Sequence, residues 1–111
     1  MEGLVRGDIV VVPFPFTDLS QKKRRPALVL AVLSRQDAII CQITSQPFGH
    51  PHVVPITNSN YAIGLGTLPR QSFVLPHRIV TASATLFERV VGRLKPEKMG
   101  EVARKIFEIL S

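Results

Sequence analysis

Gly7-Asp8-Ile9-Val10-Val11-Val12-Pro13-Phe14-Pro15-Phe16 opens on a glycine, runs through β-branched residues and breaks at prolines. β-Branched side chains fit the pleated surface of a sheet, so Ile9 to Val12 predicts a strand. Pro13 and Pro15 have no N–H to give a neighbour; they must end that strand or hold it at a sheet edge. A polar segment, Thr17 to Arg25, follows and closes with the cations Lys22-Lys23-Arg24-Arg25; it predicts a loop. Pro26 then opens Ala27-Leu28-Val29-Leu30-Ala31-Val32-Leu33, apolar at every position, the pattern of a central strand buried on both faces. A third strand is expected within Asp37 to Gln46, centred on Ala38 to Ile43. The gap Ser34-Arg35-Gln36-Asp37 suits a hairpin turn between the two.

Beyond Gln46 the pattern loosens. Pro47, Gly49, Pro51 and Pro55 break up the chain as far as Ile56, leaving room for a short strand at His52 to Val54. Asn58 to Arg70 has no usable period. Short strands are expected at Gln71 to Val74 and at Phe87 to Leu94. The end predicts a helix: Pro96 suits its first turn. Met99, Val102, Ala103, Ile106 and Leu110 form an apolar stripe at helical spacing, with Glu97, Lys98, Glu101, Arg104, Lys105 and Glu108 opposite. The stripe is expected to pack inward. Many short strands with a closing helix predict an α+β chain, mostly β, forming a small bent barrel as a single domain over residues 1–111.

Composition narrows the functional classes. Lys and Arg number 14 against 8 Asp and Glu, for a net charge of +6, which suits a polyanionic partner. Apolar residues make up 45% of the chain, too many for disorder. The single cysteine, Cys41, excludes a disulfide framework and argues against a thiolate metal cluster. Glu2 and Arg6 interrupt the first residues, so no secretory leader is expected, and no apolar run is long enough to span a bilayer. A reducing cytoplasm and no membrane association are the expectation.

Arg6-Gly7-Asp8-Ile9-Val10-Val11-Val12-Pro13-Phe14-Pro15-Phe16-Thr17-Asp18 resembles the opening of the MazF/PemK toxin family. Arg25-Pro26-Ala27-Leu28-Val29-Leu30 resembles the family's Arg-Pro pair at the start of the second strand. Ile43-Thr44-Ser45-Gln46 resembles the end of its third strand, and Val91-Gly92-Arg93-Leu94 its approach to the terminal helix. The resemblance implies an SH3-like barrel with a C-terminal helix, the CcdB/PemK-like fold, in a homodimer. It implies the toxin of a type II toxin–antitoxin system, a metal-independent endoribonuclease that cuts single-stranded RNA, needs no cofactor and inhibits growth. Its partner would be a cognate antitoxin with an acidic, disordered tail. By matching positions, the catalytic residues fall on Arg25 and Thr44. Some family members carry an Arg-x-Asp or Arg-x-Asn element where this chain has Leu75 and His77.

The chemistry is consistent with those residue types. RNA supplies its own nucleophile, the 2′-OH, so an enzyme must align it and stabilise the charge that builds on phosphorus. A guanidinium fork gives two hydrogen bonds to a phosphate, and Pro26 biases Arg25 toward an extended backbone. Arg25 is a poor proton donor at neutral pH, so charge stabilisation is its expected role. Thr44 would orient the phosphate or a proton path through its hydroxyl. Lys22, Lys23 and Arg24 are candidates for holding the RNA backbone. Phe16 and Phe48 are candidates for stacking on bases, with Ser45, Gln46, His77 and Arg78 as further RNA contacts. A solvated surface role is the competing expectation for each of these cations. His50-Pro51-His52 lacks acidic or thiol partners for a metal; a histidine here is instead a candidate acid or base. A non-enzymatic binder on the same fold, such as a CcdB-like gyrase poison, a degenerate toxin or an RNA-binding barrel, is the alternative.

Overall fold

The computed structural model describes residues 3–13, 24–34 and 36–111. Its strands are β1 (Asp8–Pro13), β2 (Arg24–Val32), β3 (Asp37–Thr44), β4 (Val54–Ile56), β5 (Ser72–Ser83) and β6 (Arg89–Arg93), followed by the helix α1 (Pro96–Leu110). They form one antiparallel sheet in the order β4-β5-β3-β2-β1-β6. The hairpin between β2 and β3 closes as expected, Leu33 N and Ser34 N both donating to Asp37 O.

Each face of the sheet carries its own apolar cluster. The inner one joins Ile9, Leu28, Cys41, Ile43, Val74 and Tyr61 to Met99 and Val102 of α1. The outer one joins Val10, Val12, Ala27, Val29, Ala38 and Ile40 to Ala84 and Phe87. Cys41 is fully buried, and loss of hydration pushes its thiol up to about 12, so it behaves as a core residue and not as a nucleophile.

The Gly7-Asp8 opening ties the start of β1 to the end of β6. Gly7 has φ +98, and a Cβ there would lie 3.1 Å from Leu94 O; close approach requires glycine. Leu94 N donates to Gly7 O at 3.0 Å. Asp8, 1% exposed, accepts from Arg93 Nε at 2.6 Å and from Val5 N at 2.9 Å, so its buried charge is paired and its oxygens are engaged.

Several boundaries differ from the sequence expectation. Arg24 and Arg25 belong to β2 and not to a loop, because they pair with Pro13 and Val12 of β1. Phe14 to Lys23, including Phe16, Lys22 and Lys23, lie outside the described residues. β2 is central, but only Ala27 to Val29 are fully enclosed; Val32 and Leu33 are exposed. The short strand expected at His52 to Val54 lies at Val54–Ile56 instead, an edge position where Pro55 loses no ladder bond.

β5 is far longer than the stretch expected at Gln71 to Val74. A bulge carries it through Pro76: Val74 pairs with Ile43 and Ile79 with Cys41, so Leu75 to Arg78 lie opposite Gln42 alone. The last strand begins at Arg89, not Phe87, which caps a single 3-10 turn over Ala84–Leu86. On α1 only part of the apolar stripe packs inward. Met99 and Val102 are buried, whereas Ala103 and Leu110 face solvent. Lys98, expected on the polar face, is buried and pairs with Glu101 at 3.1 Å.

Candidate active site

The β2–β3 ladder ends at Ala27 opposite Gln42. Pro26, with no N–H, stands just beyond the last pair. Carried two residues further, the same register sets Arg25 across from Thr44, on the face they share with Ala27 and Gln42. There the strands frame a cleft of about 250 Å³ whose lining includes Arg24, Arg25, Thr44, Ser45, Arg70 and Ser72. Sheet register, and not sequence proximity, brings the two together.

Thr44 is nearly enclosed, 7% exposed. Its hydroxyl accepts from Gln46 N at 3.0 Å and donates toward Gln46 O at 3.3 Å, a local turn that ends β3 and fixes the side chain. Arg25 is half-buried and Arg24 exposed. Arg24 Nε faces both oxygens of Glu88, at 2.8 and 2.7 Å, so its charge is shared with a carboxylate. A second cleft of about 320 Å³, also lined by Arg24 and Arg25, runs toward Arg89 and Val91.

The wall opposite the strands is the segment 67–72. Tyr61, in the inner core, accepts from Leu68 N at 3.4 Å; burial raises its phenol above the ordinary value, and that hydrogen bond works the other way. Gln71 Nε2 donates to Ile56 O at 2.8 Å, and Ser72 Oγ to Arg70 O at 2.8 Å. Gly66 runs so close to Val91 that a Cβ would sit 2.8 Å from its carbonyl oxygen. The cleft wall is thereby anchored to the barrel.

Of the residues singled out from the sequence, Arg24, Arg25, Thr44 and Ser45 line this cleft. Gln46 borders it through its bonds to Thr44. Phe48 is 86% exposed and does not line it. His77 and Arg78 stand on the β5 bulge, away from its walls. His77 instead gathers His50 and His52, with ring centroids at 5.4 and 6.1 Å. Burial, reinforced by His50, Arg78 and His52, lowers His77 below the ordinary histidine value. Among the described residues no group of three His, Cys, Asp or Glu side chains is placed to hold a metal ion.

Sequence reasoning missed Arg70, Ser72 and Arg89. Arg70 follows Pro69 at the end of a stretch without periodicity. Arg89 lies in a strand whose partner, Val11, is distant in sequence. Strand pairing reveals Arg89, and the fold of the cleft wall reveals Arg70.

Residues 5–110 match the family model for PemK-like, MazF-like toxins of type II toxin–antitoxin systems, and the chain belongs to that family. Among solved structures it is similar to an endoribonuclease in complex with its cognate antitoxin from a mycobacterial species, at TM-score 0.71 and 17% identity, covering 99% of this chain and 95% of that one. It is similar to MazF from Deinococcus radiodurans, at TM-score 0.70 and 23% identity over 96% of each chain. It is also similar to the Mycobacterium tuberculosis toxin MazF-mt6, at TM-score 0.68 and 19% identity, covering 93% and 95%. At these identities the likeness establishes the fold, a curled antiparallel sheet with a C-terminal helix. No curated protein matches the sequence. No helix among the described residues is long and apolar enough to cross a membrane.

Proposed function

We propose that this toxin-family chain is an endoribonuclease that cleaves single-stranded RNA by transesterification. The observation that carries the reading is the placement of Arg25 across from Thr44 at the open end of the β2–β3 ladder, in a cleft that also holds Arg24 and Arg70. A phosphodiester fits such a cation-lined cleft. The RNA's 2′-OH attacks phosphorus, the P–O5′ bond breaks, and the products are a 2′,3′-cyclic phosphate and a 5′-OH end. Arg25 stabilises the charge on the non-bridging oxygens, which is where a fixed guanidinium lowers the barrier most. It fills the place a metal ion takes elsewhere. Thr44, locked by Gln46, orients the phosphate. Arg70 and Arg24 hold flanking phosphates, and Lys22 and Lys23, which precede Arg24 in the sequence, are further cations for the RNA backbone. Phe16, Phe48, Ser45, Gln46, His77 and Arg78 are the further RNA contacts.

The same basic cleft suits the acidic tail of a cognate antitoxin, which would compete with RNA for the cations. A homodimer in the cytoplasm, each copy a single domain, is part of this reading.

The test is purified protein with a long single-stranded RNA in EDTA, with mapping of the new ends. New 5′-OH ends are expected. Arg25→Ala should lower the rate by about a hundredfold or more, the usual cost of a lost transition-state contact, with melting unchanged. Full activity in that variant, or no cleavage by the wild type, overturns the reading.

A further inference from the structure

Among the described residues two buried side-chain atoms have no hydrogen-bond partner, Gln42 Oε1 and His77 Nδ1. The β5 bulge sets their residues on facing stretches of neighbouring strands, because Leu75 to Arg78 lie opposite Gln42. Folded proteins leave few buried polar atoms unpaired, since each loses its water and gains nothing in return. Two on facing stretches of β3 and β5 point to a group supplied from outside the chain.

Gln42 lies one strand repeat from the cleft without lining it. Gln42 precedes Thr44 by two residues on the same strand, so their side chains share a face about 7 Å apart. The loop leaving Thr44 turns at Gly49 and lays His50 and His52 against His77. An unpaired base needs what these residues offer: a hydrogen-bonding edge and flat side chains at its rim.

We propose that Gln42 and His77 form a recognition site for a nucleobase that carries an exocyclic amino group, next to the phosphate held by Arg25 and Thr44. The proposal rests on the ribonuclease reading. Gln42 Oε1 only accepts, and the amino groups of adenine, cytosine and guanine can donate to it. Uracil has only N3–H, flanked by two carbonyl oxygens whose lone pairs would face the amide oxygen. His77 meets the neighbouring ring nitrogen. Its surroundings oppose a second proton, which leaves one ring nitrogen free to match the base. Gln42 is 6% exposed, so the discriminating contact is shielded from competing water.

The experiment uses oligoribonucleotides that differ only in the base on either side of the cut. Natural oligonucleotides measure cleavage, and versions with a 2′-deoxy residue at the cut measure affinity. The wild type should favour an amino-bearing base over uracil by roughly tenfold, the scale of one specific base contact. An analogue of that base lacking the amino group should lose the same factor. In Gln42→Leu the natural base and its analogue should become equivalent, a result that loss of packing alone would not give. His77→Asn should weaken the same discrimination, and it replaces Gln42→Leu if that variant fails to fold. Equal discrimination in variant and wild type, a wild-type preference for uracil, or disruption of the dimer by Gln42→Leu overturns the proposal; the last would show that a second copy satisfies these atoms. If the wild type cuts nothing, the ribonuclease reading fails, and the affinity of the deoxy oligonucleotides still decides the base site.

Discussion

The two faces of the sheet use the same strands for opposite purposes. The inner face is filled by large side chains, Ile9, Leu28, Ile43 and Tyr61, and sealed by Met99 and Val102 from α1. The carboxylate buried at the start of β1, Asp8, is matched by Arg93 and Val5. The outer face sets Ala27, Val29 and Ala38 beside Ile40 and Phe87, and at its open end gives way to Arg25, Thr44 and Gln42. Both orphaned polar atoms among the described residues, on Gln42 and His77, lie where β3 meets β5. Polar groups are satisfied where the sheet is sealed, and left open beside the site proposed for catalysis.

Substitutions on the two faces should separate accordingly. Leu28→Ala, at a position with no exposure, should cost about 3 kcal/mol through lost burial and the cavity left behind. Thermal melting would show that as a fall of more than about 10 °C; a fall of a degree or two would mean that the inner face is loosely packed. Arg93→Ala should cost about 2 kcal/mol in urea unfolding, somewhat less than a fully enclosed pair, because Arg93 is partly exposed while Asp8 is not. Adding Asp8→Asn should recover part of that loss, since a neutral amide is less costly to bury than a lone carboxylate.

The smallest effect belongs to the outer face. His77 titrates below its unfolded value, so between the two values the unfolded chain binds more protons than the folded one. Stability should therefore decline as pH falls below about 6.5. Melting of His77→Gln across pH 7 to 5 should be flatter than that of the wild type. Parallel profiles would remove His77 as the source of the slope.

Much of the fold was legible because strand signals here are local. The β-branched run at Ile9 to Val12, the apolar run after Pro26 and the spacing of Met99 and Val102 each declare an element without outside help. β5 was not legible. Pro76 reads as a terminator, and only pairing with β3 shows that a bulge lets the strand continue. Lys98 failed for a related reason: helical spacing places it outward, yet it is buried and paired with Glu101. At the site, Arg25 and Thr44 could be matched by family likeness, but their opposition is a property of register. Arg70 and Gln42 carried no signal at all, since one follows a featureless loop and the other looks like any polar residue in a strand.

Leu30 carries a consequence for the chemistry proposed at the far end of its strand. It is the extra residue in β2, placed where the register steps between Val29–Ile40 and Ala31–Ile39. Were β2 to run straight on from the hairpin, Arg25 would stand opposite Ser45 and Thr44 would turn to the other side of the sheet. A single surplus residue, about 16 Å from the cleft along the strand, thus selects which alcohol the guanidinium confronts. Deleting Leu30 would be a way of rewiring the site without altering any group that lines it.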